Sequence, residues 1–319
     1  MPAVVTILAY HRIARPEDAP LAPDLIDAYP ADFAAQMRYV AGRYRVVSAR
    51  DLVRALRGGP ALPPRALVIT FDDGYRCFRD TAWPILRRLG LPATLFVPTA
   101  FPGTRGAPFW WDALYQALQG TDRPAVSLPG QPPLPLASPA DRAAAYTHLV
   151  RLISAAAEAD ATRLLAAMLE QCAVPPRTER YLLDWDEIAA LAAEGVSIGP
   201  HTRGHQILSR ATPERAAAEV RDSWTDLQAR VPEPLPLFCY PHGKPEAING
   251  AAVAAVRATG LAGACTMVPG INVVGRTNPY LLCRIGLQAG ETLPRFIFKL
   301  TAPARLLWQM KGLARALPA

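Results

Sequence analysis

The chain has 319 residues, of which 51% are hydrophobic and 19% charged, a balance that fills a large core and excludes disorder for most of its length. Lys and Arg outnumber Asp and Glu by 34 to 27, a net charge of +7, yet no run of five or more basic residues occurs, so no nucleic-acid partner is expected. The five cysteines form no CxxC pair, which argues against a disulfide framework and fits reduced thiols in a cytosolic compartment.

In chain order, Val4–Tyr10 reads as a first strand; no basic segment precedes it, so it does not resemble a signal peptide. No stretch approaches the ~18 apolar residues of a transmembrane helix. Residues 31–44 read as a helix. Ala66–Phe71, a β-branched strand, ends in Asp-Asp-Gly; a helix over 79–89 and a strand over 93–97 follow. This is the βαβ rhythm of a parallel sheet or barrel. It breaks after Thr99. Residues 110–118 look helical, six prolines in 121–139 forbid regular structure there, and 140–171 has helical spacing. Residues 105–180 are therefore expected to form a partly helical insertion.

The rhythm resumes with a helix over 185–194 closed by Gly195, a strand over 196–199, and the helix Pro213–Arg230. A strand over 235–240, a helix over 247–259 and strands over 261–266 and 281–287 complete it. Residues 291–319 form a basic amphipathic helical tail, which either packs on the barrel or touches a membrane surface. The whole chain, 1–319, thus reads as one α/β domain of about seven strands, an irregular (β/α) barrel. In such barrels the chemistry sits at the C-terminal ends of the strands.

Three polar clusters fall at those ends. Asp72 and Asp73 follow the apolar strand 66–71; a helix cap and a turn explain one of them, but adjacent carboxylates repel unless a cation or proton relieves them. His201 and His205, two of only five histidines, lie four residues apart, and on a helical turn they would share a face suited to one metal. The third cluster is the Pro- and Gly-containing loop Phe238-Cys239-Tyr240-Pro241-His242-Gly243, whose backbone N–H groups can point inward. Each cluster alone has an ordinary structural reading. Together, one Asp and two His make a ligand set for a catalytic divalent ion, and the spare Asp becomes a general base for metal-assisted hydrolysis.

The ordered motifs TFDDG, HTRGH and FCYPHG resemble those of the polysaccharide deacetylase family, also known as the NodB-homology domain or carbohydrate esterase family 4. LAYHRI at 8–13, FWWD at 109–112 and LLDWDEIAALAAEGVSIGPHT at 182–202 are similar to its exopolysaccharide-type members. The resemblance covers about residues 4–100 and 180–290. It implies an irregular (β/α)7 barrel that hydrolyses N-acetyl groups of an amino-sugar polysaccharide or its lipid-linked precursor. It implies Asp72 as the base, Asp73, His201 and His205 as ligands of a divalent ion with Zn2+ the default, and the 240–243 loop, with Tyr240 and Gly243, against the substrate.

The sequence departs from the family pattern at three points. The position of the arginine that orients the base is Cys239, that of the usual tyrosine is His242, and no histidine follows position 242 to supply the usual acid. Arg284 is the candidate for the missing positive charge. His11 and His242 are candidates for the acid, with His11 preferred because it ends the first strand. One of Trp110 and Trp111 is expected to line a glycan groove, since adjacent helical residues face different ways. Two rival readings are an amidase or esterase on a non-glycan substrate and a catalytically degenerate glycan-binding protein. The expected location is cytoplasmic, or peripheral at the inner membrane face through the basic tail.

Overall fold

A computed structural model describes residues 3–18, 20–104, 108–175 and 179–301. They divide into two compact units. The first takes the chain up to Arg15, Leu25–Arg105 and everything from Leu182; the second takes Pro16–Asp24 and Gly106–Tyr181.

Among the described residues, seven parallel strands form the barrel wall of the first unit: β1 (Val4–Tyr10), β2 (Ala66–Phe71), β3 (Thr94–Val97), β4 (Ser197–Pro200), β5 (Phe238–Cys239), β6 (Ala264–Cys265) and β7 (Ile285–Gly286); shorter strands such as Arg45–Val46 and the antiparallel Asn272–Val273 add to its edges. β7, β1, β2, β3 and β4 pair in that spatial order, and β5 pairs with β6. A few backbone bonds join the two arcs. Leu235 N–H donates to Ile198 O (2.7 Å), Leu282 N–H to Ala264 O (2.8 Å) and Arg284 N–H to Val268 O (3.0 Å). The result is an irregular (β/α)7 barrel. Its later strands are only two residues long because Pro236, Pro241 and close glycine contacts interrupt the ladder.

The helices are α1 (Pro30–Arg43), α2 (Ala49–Leu56), α3 (Trp83–Arg88), α4 (Trp110–Gly120), α5 (Pro139–Ala155), α6 (Glu158–Cys172), α7 (Trp185–Ala193), α8 (Pro213–Arg230), α9 (Gly250–Ala258) and α10 (Leu293–Lys299). Capping boxes start α2 at Ser48 and α7 at Asp184, and proline opens α1 and α8, where its missing N–H costs nothing. The helix expected over 79–89 begins instead as a π-turn over Phe78–Ala82 before α3. Pro84 has no N–H to continue the regular ladder there.

Side chains alternate along each strand, and this alternation places the site. Val5, Ile7, Val68, Phe96, Leu237, Cys239 and Leu282 belong to one buried cluster inside the ring, joined by Leu52 and Val53 of α2. Leu8, Tyr10, Leu67, Ile69, Phe71, Leu95, Val97, Ile198 and Ile285 point the other way, beneath α1, α3, α7 and α10. Tyr10, Phe33, Phe71 and Phe78 interlock there with ring centroids 4.7–5.9 Å apart. Each such pair adds about 0.5–1.5 kcal/mol beyond area burial. Phe238 and Tyr240 likewise face outward, under α8 and α9.

α10 buries Phe296 and Leu300 in the outer cluster, and Tyr44 donates its hydroxyl to Leu300 O (3.3 Å). The described start of the 291–319 tail therefore packs on the barrel. The membrane contact expected of that tail would fall largely on residues 302–319, outside the described ones. Among the described residues no helix is long and apolar enough to cross a membrane.

In the second unit α4, α5 and α6 pack on one another. Ala22 N–H donates to the buried Asp112 Oδ1 (2.9 Å), which ties residues 16–24 to α4. The proline-rich stretch is not wholly irregular as expected. Ala125–Val126 pairs antiparallel with Leu134–Pro135, and Leu136 N–H bonds to Pro124 O, so the prolines take part through carbonyls and need no N–H.

Candidate active site

The inward phase of four strands carries a polar side chain to the C-terminal end of the barrel. His11 follows Val5 and Ile7 in phase, Asp72 follows Val68 and Thr70, His201 follows Ser197 and Gly199, and Arg284 follows Leu282. Asp72 N–H extends the β1–β2 ladder by bonding to Tyr10 O at 2.8 Å. At Asp73 φ turns to +74°, and the strand ends. Asp73, Thr202, His205 and His242 all have φ between 57° and 74°, a region that costs a non-glycine residue about 1–3 kcal/mol unless its surroundings enforce it.

Asp73 Oδ1 lies 3.4 Å from His201 Nε2 and 3.2 Å from His205 Nε2. Asp73, His201 and His205 offer ligand atoms that all lie within 4.8 Å of one another. His201 Nδ1 is 2.7 Å from Cys239 O. A carbonyl only accepts, so Nδ1 carries a proton, and Nε2 is the nitrogen turned toward Asp73. Burial keeps His205 below the ordinary histidine value, and so neutral. Burial works against an ionised Asp73, but His205 and His201 hold its carboxyl well below the usual range. Asp73 Oδ1 is buried without a hydrogen-bond partner. Two imidazoles and one buried carboxylate oxygen without a hydrogen-bond partner fit a divalent ion of the zinc type. A second cluster, Asp72, His201 and Cys239, fits less well, because burial pushes the Cys239 thiol well above its ordinary value and Arg284 occupies both Asp72 oxygens.

The histidine pair is not on a helix, as the four-residue spacing suggested. Residues 201–205 form an irregular turn with Thr202 and His205 left-handed, and that turn, not a helical face, brings the rings to 4.9 Å.

Arg284 grips Asp72 from β7. Its Nη1 donates to Oδ1 (2.8 Å) and its Nη2 to Oδ2 (2.6 Å), with both residues almost fully buried. Nε bonds to Thr266 O (2.8 Å). Burial alone would raise the Asp72 carboxyl, yet Arg284 outweighs it and holds the group below the usual range. Cys239 contributes a weak Sγ–H contact to Asp72 Oδ2 at 3.5 Å.

His11 presents Nε2 to Asp72 Oδ2 at 3.9 Å, while its Nδ1 lies 3.1 Å from Asp27 Oδ2. Asp27 also accepts the His11 backbone N–H. Burial opposes a charged imidazole, but Asp27, with Asp73 and Asp72, pushes His11 up to about 9. Asp27 was not singled out in the sequence. Its signal is a lone carboxylate inside the short apolar strand Ile26–Ala28, where burial makes an unpaired charge costly.

A profile described as polysaccharide deacetylase matches residues 59–126 and 145–264, more than half of the chain. The chain belongs to the polysaccharide deacetylase family. A Streptococcus pyogenes deacetylase, solved in complex with acetate, superposes with a TM-score of 0.61 at 18% identity over 94% of this chain and all of that one. IcaB from Ammonifex degensii gives 0.59 at 16% over 94% and 98%, and the BpsB deacetylase domain from Bordetella bronchiseptica 0.56 at 13% over 90% and 96%. These likenesses show the fold. Poly-beta-1,6-N-acetyl-D-glucosamine N-deacetylase of Escherichia coli is 46% identical over 50 residues, a match spanning 16% of this chain and 7% of that protein.

Two loop residues of this deacetylase do not face a substrate as expected. Tyr240 follows Phe238 in the outward phase, so its ring packs among Leu208, Val220 and Val256. Its N–H bonds to Cys265 O and Gly243 N–H to Pro241 O, so neither amide is open to an oxyanion. Gly243 instead allows close approach: with φ at +58°, an added Cβ would sit 2.6 Å from Met267 N. His242 is exposed at the rim, its ring 5.8 Å from that of His205. In the second unit Trp111 is buried and stacked on Phe109 at 4.5 Å, which leaves only Trp110 of the pair partly exposed.

Proposed function

We propose that the chain is a metal-dependent N-deacetylase of an amino-sugar polysaccharide or its lipid-linked precursor. The observation that carries this reading is an ionised, arginine-held Asp72 directly beside the orphaned Asp73 and its two imidazoles. The names of the relatives, which include an N-acetylglucosamine polymer deacetylase, agree with it.

Asp73, His201 and His205 would hold the divalent ion, which supplies Lewis acidity to water and to an amide carbonyl. Asp72 acts as the general base. Its bidentate bond to Arg284 fixes its plane and keeps it ionised, ready to accept a proton from the attacking water. His11 is the acid for the leaving amine. Asp27 fixes its ring and keeps Nε2 protonated at neutral pH, on the side of the site that Asp72 faces. The two groups thus divide base and acid roles by environment, one carboxyl held low and one imidazole raised. The missing motif arginine and the missing C-terminal histidine both favour a degenerate binding protein; Arg284 bonded to Asp72 weakens the first of these.

The test is acetate release from oligomers of N-acetylglucosamine, with and without EDTA. Asp72→Asn is expected to bind metal like the wild type and to lose turnover about 10²–10⁴-fold. Retained turnover in that variant would remove Asp72 as the base. Release from simple acetamides or esters but from no glycan would move the substrate outside polysaccharides.

A further inference from the structure

In the turn that carries His201 and His205, His201 N–H still extends the β3–β4 ladder to Val97 O (3.1 Å), and Gln206 N–H donates to Thr202 Oγ1 (3.1 Å); the segment between them is held from outside. On one side Thr99 N–H donates to Thr202 O (3.2 Å) and Ala100 N–H to Arg203 O (2.9 Å). On the other side two consecutive amides converge on a single oxygen. Arg203 N–H and Gly204 N–H donate to Glu219 Oε2 at 2.9 and 2.7 Å. Glu219 projects from α8, and its side chain is only 3% exposed; its second oxygen takes Arg215 Nη2 at 2.9 Å. Other charged residues of α8, such as Arg221 and Asp222, are solvent-facing. A buried carboxylate is costly unless its lone pairs are used, and here one oxygen is used on the turn and the other on Arg215. Glu219 has no part in the chemistry described above.

We propose that Glu219 is a positioning residue that sets the affinity for the divalent ion by holding the 201–205 turn in its ligating shape. The proposal rests on the reading of Asp73, His201 and His205 as the ligand set. Thr202 and His205 both sit in the left-handed region, which L-residues leave when nothing enforces it. The amides of Arg203 and Gly204 lie between those two positions. Fixing both amides on one rigid helix therefore fixes the backbone on either side of them, and with it the direction of the His205 ring. Removal of the carboxylate orphans two amides, and the turn relaxes toward ordinary φ values. His205 Nε2 then leaves the position 3.2 Å from Asp73 Oδ1. His201 is less affected, because its own anchor is the Cys239 carbonyl.

The test is a titration of the metal-free full chain with Co2+, followed by visible absorption, with melting of the metal-free protein as the second readout. Glu219→Ala is expected to bind Co2+ about 10–100-fold more weakly, as when an outer partner of a ligand is lost, while still melting cooperatively. Glu219→Gln keeps an oxygen that accepts from the amides and should stay within about 5-fold of the wild type. His205→Ala serves as the reference for a lost ligand. Wild-type affinity in Glu219→Ala, with His205→Ala weakened, would overturn the clamp and leave the ligand set standing. Equal losses in the Ala and Gln variants would also overturn it, since the acceptor would then not matter. Wild-type affinity in His205→Ala would overturn the ligand set and the clamp together.

Discussion

Replacing Arg284 with methionine separates the two things that the guanidinium does, stabilising the barrel and ionising the base. Its donors are spent on Thr266 O, Thr70 Oγ1 and both oxygens of Asp72, at 2.6–3.1 Å. Arg284 is 0% and Asp72 2% exposed, so solvent cannot replace the lost partner. Breaking a buried pair by removing one member costs about 3–5 kcal/mol. At about 2–4 °C per kcal/mol for a domain of this size, the melting temperature should fall by roughly 6–20 °C. The pH dependence changes as well. In the wild type the Asp72 carboxyl is depressed, so its stabilising contribution is present above the ordinary carboxylate value and is lost only as pH falls through the depressed one. Without Arg284, burial remains and pushes the carboxyl up. The acid limb of kcat/KM should therefore move to higher pH, because the base protonates earlier. The assay is the pH profile of acetate release together with thermal unfolding. An acid limb and a melting temperature both unchanged in Arg284→Met would mean that the guanidinium neither ionises Asp72 nor supports the barrel. A lysine at 284 should restore the charge but not the fork, and recover only part of each effect.

Asp27→Asn removes the charge that raises His11. In the wild type the folded value of about 9 exceeds that of a free histidine, so this pair's stabilisation is complete below the free value and disappears as pH rises through about 9. The alkaline limb of kcat/KM is expected to move to lower pH in the variant, and an unmoved limb would exclude His11 as the acid. Tyr240→Phe deletes a buried hydroxyl that has no hydrogen-bond partner. Stability should be unchanged or rise by up to about 1 kcal/mol, with acetate release unaltered; a loss of turnover would return that hydroxyl to the site. Gly243→Ala should cost at least about 1–3 kcal/mol in denaturant unfolding, because it combines a left-handed φ with a Cβ 2.6 Å from Met267 N.

The elements that are legible along the chain are those whose signal is local. ALVITF is a strand because its β-branched residues suit a buried sheet, and strand geometry puts Asp72 on the same side as Val68. The grouping of Asp72, Asp73, His201 and His205 was also legible, because ordered polar motifs follow strands and strand ends share one mouth of a barrel. Tyr240 was misplaced although the same alternation was available, since Phe238-Cys239 alone is too short a strand to declare its phase. The turn at 201–205 was read as helical because four-residue spacing does not distinguish a helix from a turn shaped by Thr202 and His205. The partners that hold the site come from remote parts of the chain and are fixed by folding. Arg284 lies 212 residues from Asp72 in sequence, Glu219 reaches across from α8 to the 203–204 amides, and Asp27 meets His11 through the pairing of two short strands. The chemistry-bearing residues announce themselves by type and local spacing. The residues that orient and ionise them are chosen by barrel closure, which brings remote strand ends into contact and leaves no local trace in the chain.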